Sequence, residues 1–141
     1  MLIIPVGLPG SGKSSFADTL NGIEIISPDE IRLEVYDGYP SELIREKEEE
    51  VWRVAYKRLE NSNENVYFDA TNLTIARRKV LLQKKPGKSK AIFFNVPVNI
   101  CLKRNKKRDK IIPRKVIIAM ADKLEEPSFE EGFDLVEVKR R

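Results

Sequence analysis

A glycine-rich motif directly after an apolar run constrains the fold more than any other feature of the chain. LIIPV (residues 2–6) predicts a buried strand, and GLPGSGKS then fits the pattern G-x-x-x-x-G-K-[ST], followed by the helix-compatible SSFADTL. Glycines let the backbone turn tightly enough to point several N–H groups at one phosphate group, and the N-terminus of the next helix adds free amides. The sequence therefore predicts a P-loop for a nucleoside triphosphate.

The residues of this motif have expected roles at the phosphates. Lys13 is expected to reach the β- and γ-phosphates, and the Ser14 hydroxyl is an expected ligand of Mg²⁺. The alternative is an ordinary glycine-rich turn, which the strand and helix on either side disfavour. The predicted nucleotide-binding residues of the motif are Gly7, Pro9, Gly10, Ser11, Gly12, Lys13, Ser14 and Ser15.

Strand-like runs alternate with helical patterns along the chain. Strands are predicted at 2–6, 23–27, 65–70, 90–96 and 134–138, and helices near 13–20, 29–36, 41–60, 74–83, 98–108 and 113–124. The alternation predicts an α/β fold, a P-loop fold with a mostly parallel five-stranded sheet flanked by helices. The length of 141 residues suits a single domain over 1–141. The glutamates of the helix at 41–60 are expected to face solvent.

Charge and composition limit the partners, the chemistry and the cellular compartment that we expect for this protein. Residues 84–115 hold 12 of the 26 lysines and arginines but only one of the 22 acidic residues, which suits a polyanionic partner or, alternatively, a solubilising surface. The chain has no histidine and a single cysteine, Cys101, which excludes histidine acid–base chemistry and a Cys/His zinc site. Without a membrane-length apolar run or a leader sequence, we expect a cytoplasmic protein that does not contact membranes.

The stretch ISPDEIR carries the predicted catalytic carboxylate. Ser27, Pro28 and Glu30 fit a helix N-cap, a first-turn proline and a capping-box glutamate. Helix capping does not account for Asp29 and Arg32, which are three residues apart and therefore lie on one helix face. Ligands of open α/β sheets bind at the carboxyl edge, where Asp29 is expected to orient an attacking hydroxyl and accept its proton. The alternative is a second capping acid.

FDATN (68–72) places a second carboxylate, Asp69, at the same edge of the sheet. Asp69 either holds Mg²⁺ through water or contacts the acceptor, and the alternative is a turn into the next helix. Arg77 and Arg78 follow on that helix. One of them is a candidate for acceptor phosphate, although a surface position is the favoured interpretation.

CLKRNKKRDKIIP (101–113) predicts a helical basic lid. Arg104 and Arg108 are spaced i,i+4, so on a helix both project from one face. Arginines on a lid that closes over the phosphates can stabilise charge on the transferring group, so both are predicted to be catalytic and to contact the nucleotide. Asn105-Lys106-Lys107-Arg108 lacks the aspartate of a guanine-binding motif, which leaves a phosphotransferase and not a GTPase.

Taken together, these segments resemble the kinase domain of polynucleotide 5′-kinases of phage and bacterial type. The resemblance rests on the order and spacing of GLPGSGKS, SPDEIR, FDATN with RR after it, VPVNICLKRNKKR and EEPSFEEGFDLVEV. It implies a kinase that uses ATP and Mg²⁺ to phosphorylate the 5′-hydroxyl of DNA or RNA. By the resemblance, residues 126–133 lie near the adenine. The residues implied at the acceptor are the general base Asp29, the phosphate contact Arg32, and Asp69 and Asn72.

The resemblance also sets expectations about partners. Many such kinases carry a phosphatase or ligase domain, and the chain lacks a D-x-D-G-T motif, so 3′-end repair is expected to need a separate phosphatase or ligase acting in trans. Two other functions stay open at this point. One is a kinase of a small-metabolite or antibiotic hydroxyl, and the other is a nucleotide-binding module without catalytic activity.

Overall fold

The computed structural model describes residues 1–109 and 111–140, so Lys110 of the predicted lid and Arg141 of the predicted domain lie outside the described residues. The strands are β1 (Leu2–Val6), β2 (Glu24–Ile26), β3 (Val66–Phe68), β4 (Ser89–Asn95) and β5 (Leu135–Arg140). The helices are α1 (Lys13–Ala17), α2 (Pro28–Tyr36), α3 (Arg45–Glu60), α4 (Ile75–Lys84), α5 (Val98–Asn105) and α6 (Arg114–Lys123). A short 3-10 helix, Phe129–Glu131, precedes β5.

The five strands form one sheet in the order β2-β3-β1-β4-β5, and every neighbouring pair is parallel. This confirms the predicted α/β sheet, which is wholly parallel among the described strands. All five residues of β1 are buried, because β1 is central and both faces of the sheet are covered. The chain crosses from β1 to both sides of the sheet, so the loop after β1 lies at the switch point where open α/β folds bind ligands.

Side chains of β1 alternate between two hydrophobic layers. Leu2, Ile4 and Val6 belong to the larger layer, which α3 covers with its buried apolar stripe. Ile3 belongs to the smaller layer on the opposite face, together with Tyr67 of β3. This period-two alternation fixes the register of β1 and therefore the position of the loop that follows it.

Three predicted helices are shorter by three residues or more in the structure, and the first of them, α1, ends at Ala17 instead of residue 20. The helix expected at 41–60 begins at Arg45, and Leu43 is exposed in the loop before it. α5 ends at Asn105 instead of residue 108. The side chain of Asn105 forms two hydrogen bonds with the backbone of Ile112, donating to its carbonyl at 2.7 Å and accepting from its N–H at 3.0 Å. The predicted helical lid is therefore a helix end followed by a loop that Asn105 closes.

The basic segment 84–115 does not form one surface. Lys84 pairs with Glu60 at the end of α3, and Lys85 donates to the carbonyls of Ser62 and Asn63. These lysines precede β4 and lie at the amino edge of the sheet. Arg104, Lys107 and Arg108 lie at the carboxyl edge instead, so the segment is divided between the two edges of the sheet. Among the described residues, we find no helix with the length and apolar character needed to cross a membrane.

Candidate active site

An open cleft of about 1920 Å³ follows the carboxyl edge of the sheet. It is formed by the loop after β1, the start of α2, the loop after β3, and the end of α5 with the loop beyond it. Gly7 and Ser11, which belong to the P-loop motif, are buried and do not line the cleft. The other predicted site residues all line it: Pro9, Gly10, Gly12, Lys13, Ser14, Ser15, Asp29, Arg32, Asp69, Asn72, Arg104 and Arg108.

Backbone geometry explains the glycines of the P-loop. Gly10 has φ +85° and Gly12 has φ +104°, values in the left-handed region that glycine adopts without steric cost. A Cβ atom on Gly10 would also lie 2.8 Å from the carbonyl oxygen of Cys101 in α5. The loop therefore needs glycine at this position both for its conformation and for its close packing against α5.

Lys13 is a buried cation at the start of α1. Its side chain is 7% exposed, and Nζ donates a hydrogen bond to the Leu8 carbonyl at 2.8 Å. Burial lowers the pKa of Lys13 to about 8, although the nearby Asp69 carboxylate opposes that shift. A neutral carbonyl compensates a buried ammonium poorly, so an anionic phosphate in the cleft would stabilise its charged form.

Ser14 and Asp69 bring two oxygen donors together beside the P-loop. The Ser14 hydroxyl donates to Oδ2 of Asp69 at 2.9 Å. Burial raises the pKa of Asp69, while the hydrogen bond from Ser14 and the charge of Lys13 oppose the rise. Hydroxyl and carboxylate oxygens are the ligands that Mg²⁺ prefers, and a cation would relieve the cost of burying the carboxylate. The pair therefore fits a magnesium site completed by phosphate and water oxygens.

Asp29 lies in the first turn of α2 and forms part of a group of charged side chains. Nη1 of Arg32 contacts Oδ1 of Asp29 at 2.7 Å. The rest of the Arg32 guanidinium pairs with Glu48 of α3, through Nη2 to Oε1 at 2.8 Å and Nε to Oε2 at 3.0 Å. The side chain of Asp29 remains 60% exposed, on the wall of the cleft. Arg32 thus holds a carboxylate that an acceptor hydroxyl can reach.

Glu48 is a residue that the sequence interpretation missed. Its side chain is only 19% exposed and also accepts a hydrogen bond from the Tyr36 hydroxyl at 2.8 Å. The expectation that the glutamates of this helix face solvent is therefore wrong for Glu48. The predicted N-cap is confirmed, since Ser27 accepts a hydrogen bond from the N–H of Glu30 at 3.3 Å.

The two arginines of the predicted lid both lie near the P-loop, but not on one helix face. Nη1 of Arg104, in the last turn of α5, donates to the Gly10 carbonyl at 3.0 Å. Arg108 lies in the turn after α5, and its charge contributes to the lowered pKa of Lys13. The i,i+4 argument was therefore wrong because the helix ends at Asn105, whereas the proximity of both cations to the phosphate-binding loop does not depend on it.

Asn72 and Arg78 both make contacts within the protein that the sequence did not predict. Asn72 is 2% exposed with φ +47°, and its amide donates to the carbonyls of Pro5 and Phe68 at 2.8 and 3.1 Å. These contacts hold the loop after β3, and the substrate contact of Asn72 stays a prediction because this residue also lines the cleft. Arg78 is fully buried, contrary to the expected surface position, and Nη1 donates to the Asn72 carbonyl at 2.8 Å.

Arg78 is paired with the segment expected near the adenine. Its Nε and Nη2 contact the two carboxylate oxygens of Glu131 at 2.8 and 3.0 Å. Glu131 also accepts from the N–H of Ser128, which completes a capping box. Phe133 is buried in the larger hydrophobic layer. Glu131 and Phe133 thus connect this segment to α4 and the core, whereas Phe129 is exposed, and the position of residues 126–133 near the adenine stays a prediction.

The P-loop, the Ser14–Asp69 pair and the parallel sheet agree with a comparison of the sequence with protein families. Residues 2–127 match AAA_33, an AAA domain family of P-loop kinases. The chain belongs to this family. The P-loop kinase fold of this family implies that the protein binds ATP.

Similar proteins include kinases with different acceptors. The chain is 31% identical over 151 residues to L-seryl-tRNA(Sec) kinase from Methanococcus maripaludis, a match that covers 98% of this P-loop kinase and 58% of the relative. It is 28% identical to a chain of the Pnkp1/Rnl/Hen1 RNA repair complex, with a TM-score of 0.73, covering 87% of this chain and 43% of that one. A gluconokinase from Sinorhizobium meliloti 1021 shares the fold at 21% identity, with a TM-score of 0.67 and coverage of 98% and 81%. The chain therefore spans little more than half of the curated relative.

Proposed function

We propose that this P-loop kinase uses ATP and Mg²⁺ to phosphorylate a 5′-hydroxyl of RNA or DNA. The observation that carries the proposal is that one cleft holds both halves of a transfer site. Lys13 and the Ser14–Asp69 pair lie at the nucleotide side, and the Asp29–Arg32 pair lies on the wall of the same cleft. An acceptor bound between them has a carboxylate for its proton and cations for the transferring group.

The proposed reaction is a direct in-line transfer. The acceptor hydroxyl oxygen bonds to the γ-phosphorus while the bond to the ADP oxygen breaks, and the hydroxyl proton passes to the Asp29 carboxylate. Lys13, Arg104 and Arg108 neutralise charge on the phosphoryl oxygens. Mg²⁺, when bound near Ser14 and Asp69, adds neutralisation of the phosphates. Arg32 keeps Asp29 in place through the 2.7 Å contact.

Two features support a nucleic acid as acceptor. The cleft of about 1920 Å³ has room for an acceptor beside ATP. Arg77, Lys107 and Lys123 add cations to its walls, which suits a phosphate backbone. Two similar proteins above 25% identity also carry tRNA and RNA repair in their names. As that repair complex combines several proteins, we further propose that a phosphatase or ligase acts with this kinase in trans.

A second candidate is the serine hydroxyl of a seryl-tRNA. It is favoured by the 31% identity to L-seryl-tRNA(Sec) kinase, which extends over 98% of the chain. The chemistry at Asp29 would be the same, because an alcohol attacks the γ-phosphorus in both reactions. The two candidates differ in where the RNA lies, since one presents its 5′ end and the other its aminoacylated 3′ end.

The deciding experiment is transfer of labelled γ-phosphate to a panel of acceptors: 5′-hydroxyl RNA, 5′-hydroxyl DNA, seryl-tRNA, 3′-nucleotides and small polyols. We expect label at the 5′ ends, and its loss in Asp29→Asn. Glu34→Gln, which changes another acid of α2 that does not line the cleft, is the matched control and should retain activity. Label on seryl-tRNA alone would establish the second candidate, and label on polyols alone would refute a nucleic acid acceptor.

A further inference from the structure

An arginine stacked on the single tryptophan of the chain lies in the same cleft as the Asp29–Arg32 pair. The guanidinium carbon of Arg77 is 4.2 Å from the centroid of the Trp52 ring. Nη1 of Arg77 is 3.4 Å from the Tyr56 hydroxyl, which restrains the guanidinium further. Trp52 is half-buried, Arg77 is exposed, and both line the cleft. The pair therefore presents a flat, positively charged surface beside the acceptor end of the site.

The position of this surface is fixed by the core. The Trp52 ring packs against Phe68, with ring centroids 6.2 Å apart, and Phe68 is the buried last residue of β3, directly before Asp69. On α3, Trp52 lies four residues after Glu48, so both project from the same face. Glu48 in turn holds Arg32. Glu48, which holds Arg32, and Trp52, which holds Arg77, are therefore about 6 Å apart along the axis of α3.

We propose that the base of the nucleotide carrying the reacting hydroxyl stacks on the exposed face of the Arg77 guanidinium. Bases stack on aromatic rings and on arginine planes, and a base on Arg77 would complete a layered stack of Trp52, Arg77 and base. The site would accept any base, because every base has a flat face. This inference rests on the proposed function and narrows its acceptor to a molecule with a base next to the hydroxyl.

A planar contact makes a different prediction from a simple charge contact. If Arg77 only attracted phosphate, a lysine at this position would keep most of its effect, since lysine is a point charge of the same sign. If the plane of the guanidinium carries the base, Arg77→Lys removes the contact while the charge stays. Lys79→Ala is the matched control, because Lys79 is an exposed cation of the same helix that does not line the cleft.

The test compares two 5′-hydroxyl oligonucleotides that differ only in the terminal base, which one of them lacks. For the wild-type kinase we expect the KM of the abasic acceptor to be about tenfold higher, within the roughly 5- to 150-fold range that stacking on a side chain gives. In Arg77→Lys this preference should fall to near unity, with kcat unchanged, because the contact is equal in ground and transition states. Lys79→Ala should keep the wild-type preference.

The outcomes separate this inference from the proposed function. Equal KM values for both acceptors with the wild-type kinase, or a preference that survives in Arg77→Lys, would overturn the base site while leaving the 5′-kinase in place. Failure to phosphorylate either oligonucleotide would instead refute the proposed function. In that case the fluorescence of Trp52, the only tryptophan, tests the site by binding alone. Quenching by the base-bearing oligonucleotide and not by the abasic one would support the base site, and equal signals would overturn it.

Discussion

The protonation of Lys13 is expected to make ATP binding depend on pH. Burial lowers the pKa of this ammonium to about 8 in the free protein. The charged form is expected to contact the phosphates, whose negative charge would raise the pKa of Lys13 in the complex. Binding above pH 8 therefore takes up a proton, and the affinity for ATP falls as the pH rises, up to the pKa of the complex.

The size of the effect follows from the position of that pKa. About nine-tenths of the free protein carries a charged Lys13 at pH 7, about half at pH 8 and about one-tenth at pH 9. The dissociation constant of ATP should therefore rise by about tenfold between pH 7 and pH 9, with about half a proton taken up at pH 8. The phosphates contribute little over this interval, because their last ionisation is complete near pH 7.

Isothermal titration calorimetry of ATP binding, in buffers of different ionisation enthalpy, measures both quantities. Lys13→Arg is the control, because a guanidinium stays charged throughout this range and its affinity should not vary with pH. A wild-type affinity that is constant from pH 7 to pH 9, without proton uptake, would refute the argument that burial has brought Lys13 close to neutrality.

Three other substitutions test the site and its support. Asp29→Asn should lower kcat by about 10²-fold or more while leaving ATP affinity unchanged, and a lower melting temperature with normal kcat would make Asp29 a helix cap only. Ser14→Ala should raise the Mg²⁺ concentration needed for half-maximal activity, because one ligand oxygen is lost. Glu131→Gln leaves the buried Arg78 without its charged partner, so calorimetry should show a loss of about 3–5 kcal/mol in unfolding free energy, whereas the Arg78→Met, Glu131→Leu double variant should lose less.

Features with a local signature could be predicted from the sequence. The central strand is visible as LIIPV because burial on both faces removes polar alternation. The phosphate-binding loop is visible because left-handed backbone at Gly10 and Gly12 restricts those positions to glycine. Ser27 and Thr74 are visible as helix starts because their side chains cap the backbone of their own helices. Each of these signals lies within a few residues of the structure that it specifies.

The end of α5 shows where local signals fail. The basic sequence continues past Asn105 with residues that favour a helix about as well as those before it. In the structure the helix ends at Asn105, whose side chain donates a hydrogen bond to the Ile112 carbonyl and accepts one from the Ile112 N–H. No periodicity reports such a contact, because the partner is a backbone group whose position depends on where α6 begins. Arg108 therefore lies beyond the end of the helix, and helical spacing does not describe its position.

Ion pairs between segments that are distant in sequence could not be predicted either, and one of them changes the interpretation of the acceptor site. Arg32 pairs with Glu48 across 16 residues, and the adjacent glutamates of α3 look equivalent to it in sequence. Only the packing of α2 against α3 in the folded protein determines that Arg32 pairs with Glu48. Asp29, Arg32 and Glu48 together carry one net negative charge, and two carboxylates already occupy the guanidinium. This arrangement suits the orientation of Asp29 better than the capture of an acceptor phosphate, so the cleft cations Lys107 and Lys123 are the stronger candidates for that phosphate.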